Sequence, residues 1–410
     1  MRKNKNNNLI LIIVAISEIL LFRAASIYDN NILQTIVIVL NTIITTLILL
    51  RSKNKEDRRL NIIISLSLLI RTALLFFDIY TGKGLFTGKD TEVFYECAQG
   101  IKNGYNSNSY SIFLYTISGI IGSNRLSLQY LNIIASFVSM LYLKKTLYVV
   151  DADNKKKTIA MALFCLGPIS MSLSAVLLRE SLMIAANAVS MYFFIRWYSL
   201  GEKRNLIKSF ILAIFSIWLH SGMILILFAY AICFVIYSPE RKRISFRKNT
   251  ITYLVIISIF LVGIFAVFGG SLMKYFEKYE NLESTTMSST KGGSDYLPFL
   301  KNSSLSTMIL FIPIKSVYFY LSPMLWDVRN MGHLLTALLS SSIYIYLFYG
   351  IFKKTVSAQN LKILLLIILV PLTLMYAWGV SNAGTAMRHR EKMLPFIAIT
   401  YAITKNRKVK

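Results

Sequence analysis

Apolar runs of about 20 residues recur along this chain, separated by short polar gaps. Wound as a helix, such a run crosses the roughly 30 Å hydrocarbon layer of a bilayer. Lipid cannot hydrogen-bond exposed backbone groups, so a run in that setting is helical. These runs are also too long and too continuously apolar for barrel strands. The sequence predicts spans at about 9–27, 32–50, 60–78, 127–149, 158–177, 181–199, 206–220, 221–237, 250–269, 334–352, 361–379 and 392–405. The expected fold class is all-α: a polytopic transmembrane helix bundle of about twelve spans. It forms a single integral membrane domain over residues 1–410, with both termini cytoplasmic.

The gaps alternate in charge. Residues 1–8, 51–59, 142–157, 196–208, 238–248, 353–362 and 405–410 hold 29 Lys+Arg against 6 Asp+Glu, nearly all of the chain's net +26. Short basic loops stay in the cytoplasm, which places the other gaps outside. In a soluble protein so basic a balance points to nucleic acid. Here the charge flanks spans, so it reads as topology and contact with anionic membrane lipid, with no nucleic acid partner. Cys97, Cys165 and Cys233 are far apart and show neither metal-ligand spacing nor a disulfide framework. The first run follows Met1-Arg2-Lys3 but lacks a clear small-residue cleavage site, so it is expected to stay as an anchor.

Two further apolar stretches, 109–122 and 305–323, would turn basic gaps outward if they were spans. Both are expected as re-entrant or interfacial helices within two long outer loops, about 79–126 and 270–333. Loops of that length generally carry function. The Gly/Ser-rich residues 283–295 are expected as a polar loop beside the membrane, either a lid or a slack connector. Arg71, inside the third run, needs an inward-facing partner or a polar cavity.

The polar residues suited to chemistry fall in the outward gaps. Asp90 and Glu92 form a D-x-E pair followed by Tyr95. Such acids can take a proton from a hydroxyl acceptor or hold a divalent cation; as a bland alternative they favour a helix start. Asn103, Tyr105, Asn106 and Asn108 add groups suited to sugars. Arg179 and Glu180 sit between apolar VLL and LMI. They are either a pair stapling two helices or, through the guanidinium, an anion site. His220 lies in a tight Leu-His-Ser-Gly turn, placed for a phosphate contact or proton transfer. Arg388, His389, Arg390 and Lys392, three cations and a histidine, face outward against the charge trend, as an anion site or as snorkelling cations. Arg388 and Arg390 are two apart, so only one easily faces a given cleft.

In their order and common side these motifs resemble the multispanning glycosyltransferases of the GT-C type and, among them, Wzy-like bacterial polysaccharide repeat-unit polymerases. The residues that carry the likeness are Asp90-Thr91-Glu92 with Tyr95, the Leu178-Arg179-Glu180 step, the Leu219-His220-Ser221-Gly222 turn, and Gly384 to Arg390 before Leu394-Pro395. The resemblance implies a plasma-membrane enzyme that builds cell-surface polysaccharide on the extracytoplasmic face, from a polyprenyl-(pyro)phosphate-linked saccharide, alongside other assembly proteins. It implies catalytic roles for Asp90, Glu92 and His220, and substrate contacts from Tyr95, Arg179, Glu180, Arg388, His389 and Arg390. No cofactor is required, although a divalent cation at Asp90 and Glu92 fits some members of the wider class. The competing expectations are a flippase or transporter of lipid-linked oligosaccharide, and a ligase or acyltransferase acting on surface glycans. A transporter favours mid-span charges and paired halves, and here Arg71 is the main such charge.

Overall fold

A computed structural model describes Arg23 and residues 31–82, 89–101, 109–244, 295–297, 300, 305–328, 331–353 and 359–404. The run expected to span at 9–27, apart from Arg23, the run at 250–269, residues 283–294 of the polar loop, and Asn103 to Asn108 lie outside these residues. The described chain is helical. In order it forms α1 (Asn31–Leu50), α2 (Lys55–Thr81), α3 (Lys89–Ala98), α4 (Ser109–Ile121), α5 (Arg125–Val149), α6 (Asn154–Cys165) and α7 (Pro168–Ala175). Next come α8 (Glu180–Leu200), α9 (Lys203–Leu219), a 3-10 turn (Ser221–Met223), α10 (Leu225–Ile236) and a hairpin pairing Tyr237 with Ile244. After the 300s begin, the helices are α11 (Leu305–Leu310), α12 (Ile312–Leu321), α13 (Met331–Leu335), a π turn (Thr336–Ser340), α14 (Ser341–Lys353), α15 (Gln359–Gly379), α16 (Ala383–Glu391) and α17 (Leu394–Ala402).

Four helices, α1, α2, α5 and α15, are long and apolar enough to cross a membrane. A fifth crossing results if α6 and α7, bent 45° at their break, are one span. Pro168 causes that break, because it lacks the N–H that would continue α6. The expectation of about twelve spans is therefore met in coarse form only. Among the described residues, several other expected runs are shorter helices, such as the 17-residue α9 and the 9-residue α17. α8 is long enough, but Asn187, Ser190 and Arg196 dilute its apolar character. The stretches expected to lie at the interface are the 13-residue α4 and the α11–α12 pair. On α1 the residues Ile32, Ile36, Leu40, Ile43 and Leu47 are all exposed. An apolar face this long suits lipid, whereas water penalises it.

The chain divides into two compact units, Met1–Leu141 with Ser170–Ala185 and Tyr142–Ile169 with Ala186–Lys410. In the first, polar side chains stitch the apolar helices together. Thr42 meets Thr72 at 3.3 Å, Ser127 donates to Gln34 Oε1 at 2.8 Å, and Gln129 Nε2 donates to the buried Asp78 at 2.9 Å. Arg71 is buried on α2, and its partners lie on the half-helix α7. Nη1 donates to Ser170 O at 2.6 Å and Ser174 Oγ at 2.7 Å, Nη2 to Ser170 Oγ at 3.0 Å, and Nε to Ser67 of its own helix at 3.1 Å. The inward-facing partner required by the sequence is thus a set of serines and a carbonyl. In the second unit, α12 packs on α14, α15 and α16, and α17 packs on α6, α14 and α15. Asn382 caps α16 by accepting the Thr385 N–H at 3.2 Å.

Candidate functional site

The second unit gathers two of the chain's three histidines with a lysine and a tyrosine. α9 ends at Leu219, and His220 turns extended. Its Nδ1 accepts the Gly222 backbone N–H at 3.0 Å, which folds the ring back over the turn. Only glycine leaves room for this. A Cβ on residue 222 would stand 2.8 Å from His220 Cε1 and 3.3 Å from Tyr376 Cε1. The His220 ring lies edge-on to His389, with centroids 5.0 Å apart. Tyr376 on α15 touches both rings, at 5.9 Å and 5.0 Å.

His389 is buried on α16, and its Nδ1 lies 2.7 Å from Lys392 Nζ. The spacing of three places both on one helical face. Lys392 is fully buried, its Nζ also stands 5.7 Å from the Tyr376 ring, and its carbonyl accepts Asn187 Nδ2 at 2.9 Å. The Gly222 backbone N–H can only donate, so a neutral His220 ring accepts at Nδ1 and carries its hydrogen on Nε2. The His389 Nδ1–Lys392 Nζ contact runs in either direction according to the tautomer. The result is two imidazole rings beside a buried lysine, with half-buried Arg388 one residue from His389. Such a group can hold phosphate oxygens or pass a proton to a departing one.

Arg390 is placed differently from its neighbours. It is completely buried, and Nη1 donates to Tyr320 O at 2.6 Å and Ser322 O at 2.7 Å. Nη2 donates to Ser340 Oγ at 2.9 Å, and the guanidinium stands 5.1 Å from the Tyr344 ring. Burial lowers its pKa from the ordinary value, while Tyr344 and Glu391 oppose that shift. Arg390 is therefore a clamp tying α16 to the end of α12 and to the π turn. Lys315 is likewise buried, donates to Trp378 O at 2.7 Å, and is pushed down by desolvation to about 8.

The first unit holds the acidic residues. Asp90 and Glu92 occupy the first turn of α3, where the helix dipole favours anions. Asp90 is exposed. Both Glu92 oxygens meet Arg125 at the start of α5, at 2.7 and 2.9 Å, and the same guanidinium stands 5.4 Å from the Tyr95 ring. A divalent cation bound by Glu92 would have to compete with that arginine. α4 covers α3 through the Phe94–Tyr110 contact at 4.9 Å and the bond from Ser118 to Ala98 O at 2.8 Å.

In the same unit Asn132 Nδ2 donates to Val176 O at 2.6 Å and Leu178 O at 2.9 Å, which fixes the turn leading to Arg179 and Glu180. Glu180 is fully buried, Arg179 is half-buried, and the buried Tyr110 feels both charges.

The structure thus joins His220 to His389, and Glu92 to Tyr95. Lys392, the third cation of the 388–392 stretch, joins His389; Tyr376, Arg125 and, at the Arg179 turn, Asn132 take part without having been singled out in the sequence. Lys392 had a signal, its helical spacing from His389; Tyr376 and Asn132 are polar residues on apolar helices and had none. Among the described residues no three His, Cys, Asp or Glu side chains are grouped to hold a metal ion. No family model, curated protein or solved structure matches the chain.

Proposed function

We propose that this chain is a membrane glycosyltransferase of the polysaccharide-polymerase kind, taking its sugar from a polyprenyl-(pyro)phosphate-linked donor at the outer face of a plasma membrane. The observation that carries the reading is the buried His220–His389–Lys392 group in a chain whose helices suit a bilayer. Ionisable groups buried in such a chain are retained at a cost and mark functional sites. Breaking a sugar–phosphate bond builds negative charge on the leaving phosphate. Donors already held in place stabilise that charge without reorganising. In this reading His220 and His389 supply N–H donors, Lys392 fixes the His389 ring and adds charge, and Arg388 contacts the phosphate.

The test uses purified protein in nanodiscs with a polyprenyl-pyrophosphate-linked oligosaccharide. Expected products are lengthened lipid-linked glycan and free polyprenyl pyrophosphate. A protein that binds the donor but neither cleaves nor extends it refutes the proposal.

A second reading, translocation of the lipid-linked oligosaccharide, draws on the broken α6–α7 pair and on Arg71 bonded into α7. Transporters place discontinuous helices and buried charges together in this way. It predicts movement of labelled donor across proteoliposomes with the sugar–phosphate bond intact.

A further inference from the structure

Three rings in the second unit, Tyr142 at the end of α5 and Tyr192 and Phe193 on α8, stand 5.2–6.4 Å from one another. Each carries a cation on its face. Lys145 Nζ is 4.5 Å from the Tyr142 ring, Arg196 Cζ is 6.0 Å from Tyr192, and Lys208 Nζ is 5.1 Å from Phe193. Among the described residues no carboxylate pairs with these three. Two acids of the same basic gaps have partners of their own: Glu202 accepts from Asn205 at 2.8 Å, and Asp153 caps the Lys155 N–H at 3.1 Å.

Three like charges converge on one aromatic group, where the ring faces and, for Arg196, the Tyr192 hydroxyl at 3.4 Å offset their repulsion. Lys208 continues a stripe on α9, with Arg204, Ile207 and Ile211 at helical spacing and all exposed. Basic and apolar residues alternate along the stripe, so each cation has an exposed isoleucine beside it. That pairing matches a phospholipid, with its headgroup phosphate at the cations and its acyl chain along Ile207 and Ile211.

We propose that Lys145, Arg196 and Lys208 form a specific site for an anionic phospholipid headgroup. The site is separate from the donor chemistry and rests only on the chain lying in a membrane. The sequence expectation assigns its residues to the cytoplasmic gaps, where anionic lipid attracts basic groups. A nucleic acid would use the same charges, but the apolar half of the stripe favours lipid.

The test is native mass spectrometry of the full chain, delipidated in detergent and titrated with phosphatidylglycerol or phosphatidylcholine. Wild type is expected to retain phosphatidylglycerol selectively. Each single change, Lys145→Gln, Arg196→Gln or Lys208→Gln, is expected to weaken retention about fivefold, and the three together about a hundredfold. Lys208→Arg should retain it, which controls for folding. Equal retention by wild type and the triple variant overturns the proposal. So does competition by soluble glycerol phosphate at the lipid's own concentration, or preferential capture of single-stranded RNA over the lipid.

Discussion

The acidic arm of the first unit and the histidine group of the second are built on opposite principles. Glu92 and Arg125 meet at the surface, with side chains 56% and 27% exposed. Water solvates them whether or not they touch, so the pair contributes little. His220, His389, Lys392 and Tyr376 interlock in a buried setting, where each polar atom lost leaves another stranded. The arm can therefore move or exchange partners, and the buried group cannot. A residue that must meet varied acceptors belongs on the first; donors that must stand ready for a developing charge belong in the second.

The largest effect that sharpens this contrast is expected at Arg390, the clamp beneath the histidines. Arg390→Met strands the Tyr320 and Ser322 carbonyls, at a cost of about 1–3 kcal/mol for each. Thermal unfolding in detergent measures it; a variant as stable as wild type ends the clamp description. Next, His220→Ala and His389→Ala are expected to cut donor turnover about 10²–10³-fold with the fold intact, as removal of a preorganised donor does. Wild-type turnover in both removes the cluster from the chemistry.

Gly222→Ala forces its Cβ against the His220 ring, with an expected cost of about 1–3 kcal/mol and displaced His220 imidazole resonances. Unchanged spectra would mean that the turn yields freely.

Lys315 adds a pH signature. Its folded pKa, about 8, lies below the ordinary 10.5, so the folded chain binds fewer protons between those values. Stability attributable to it should rise as pH climbs from about 8 to 10.5, with the penalty fully present below 8. Lys315→Met should flatten that rise, and a wild-type slope in the variant contradicts the assignment. The smallest effect belongs to the arm. Arg125→Gln or Glu92→Gln should change stability by less than about 1 kcal/mol, and a loss several times larger would erase the distinction between the two regions.

The first unit's Arg71 shows what pattern reveals and what it does not. A charge inside an apolar run demands a partner, and that demand was legible. Its fulfilment by Ser170 and Ser174, about a hundred positions away, was not, because serines on an apolar helix look alike until the helices pack. The histidines repeat the lesson. The Leu-His-Ser-Gly turn marked His220, and the cationic stretch marked His389, but nothing local linked residues 169 apart. Arg388 and Arg390 drew equal attention from their charge, whereas burial separates a half-exposed cation from a clamp. The span count is met in coarse form for a related reason. Apolar content marks a helix's environment, but a proline such as Pro168 decides where one helix stops, and polar residues such as Asn187 dilute a helix that continues.

By itself, then, the sequence determined a helical chain with membrane-suited runs, basic gaps between them and a handful of residues worth suspecting. These follow from solvent preference and backbone hydrogen bonding, which act over a few neighbouring residues. Tertiary structure decided which suspects touch: that His220 rests on His389, that Lys392 holds it, and that Arg390 is committed to carbonyls. Contacts between distant segments depend on how whole helix faces fit, and no local pattern encodes that fit.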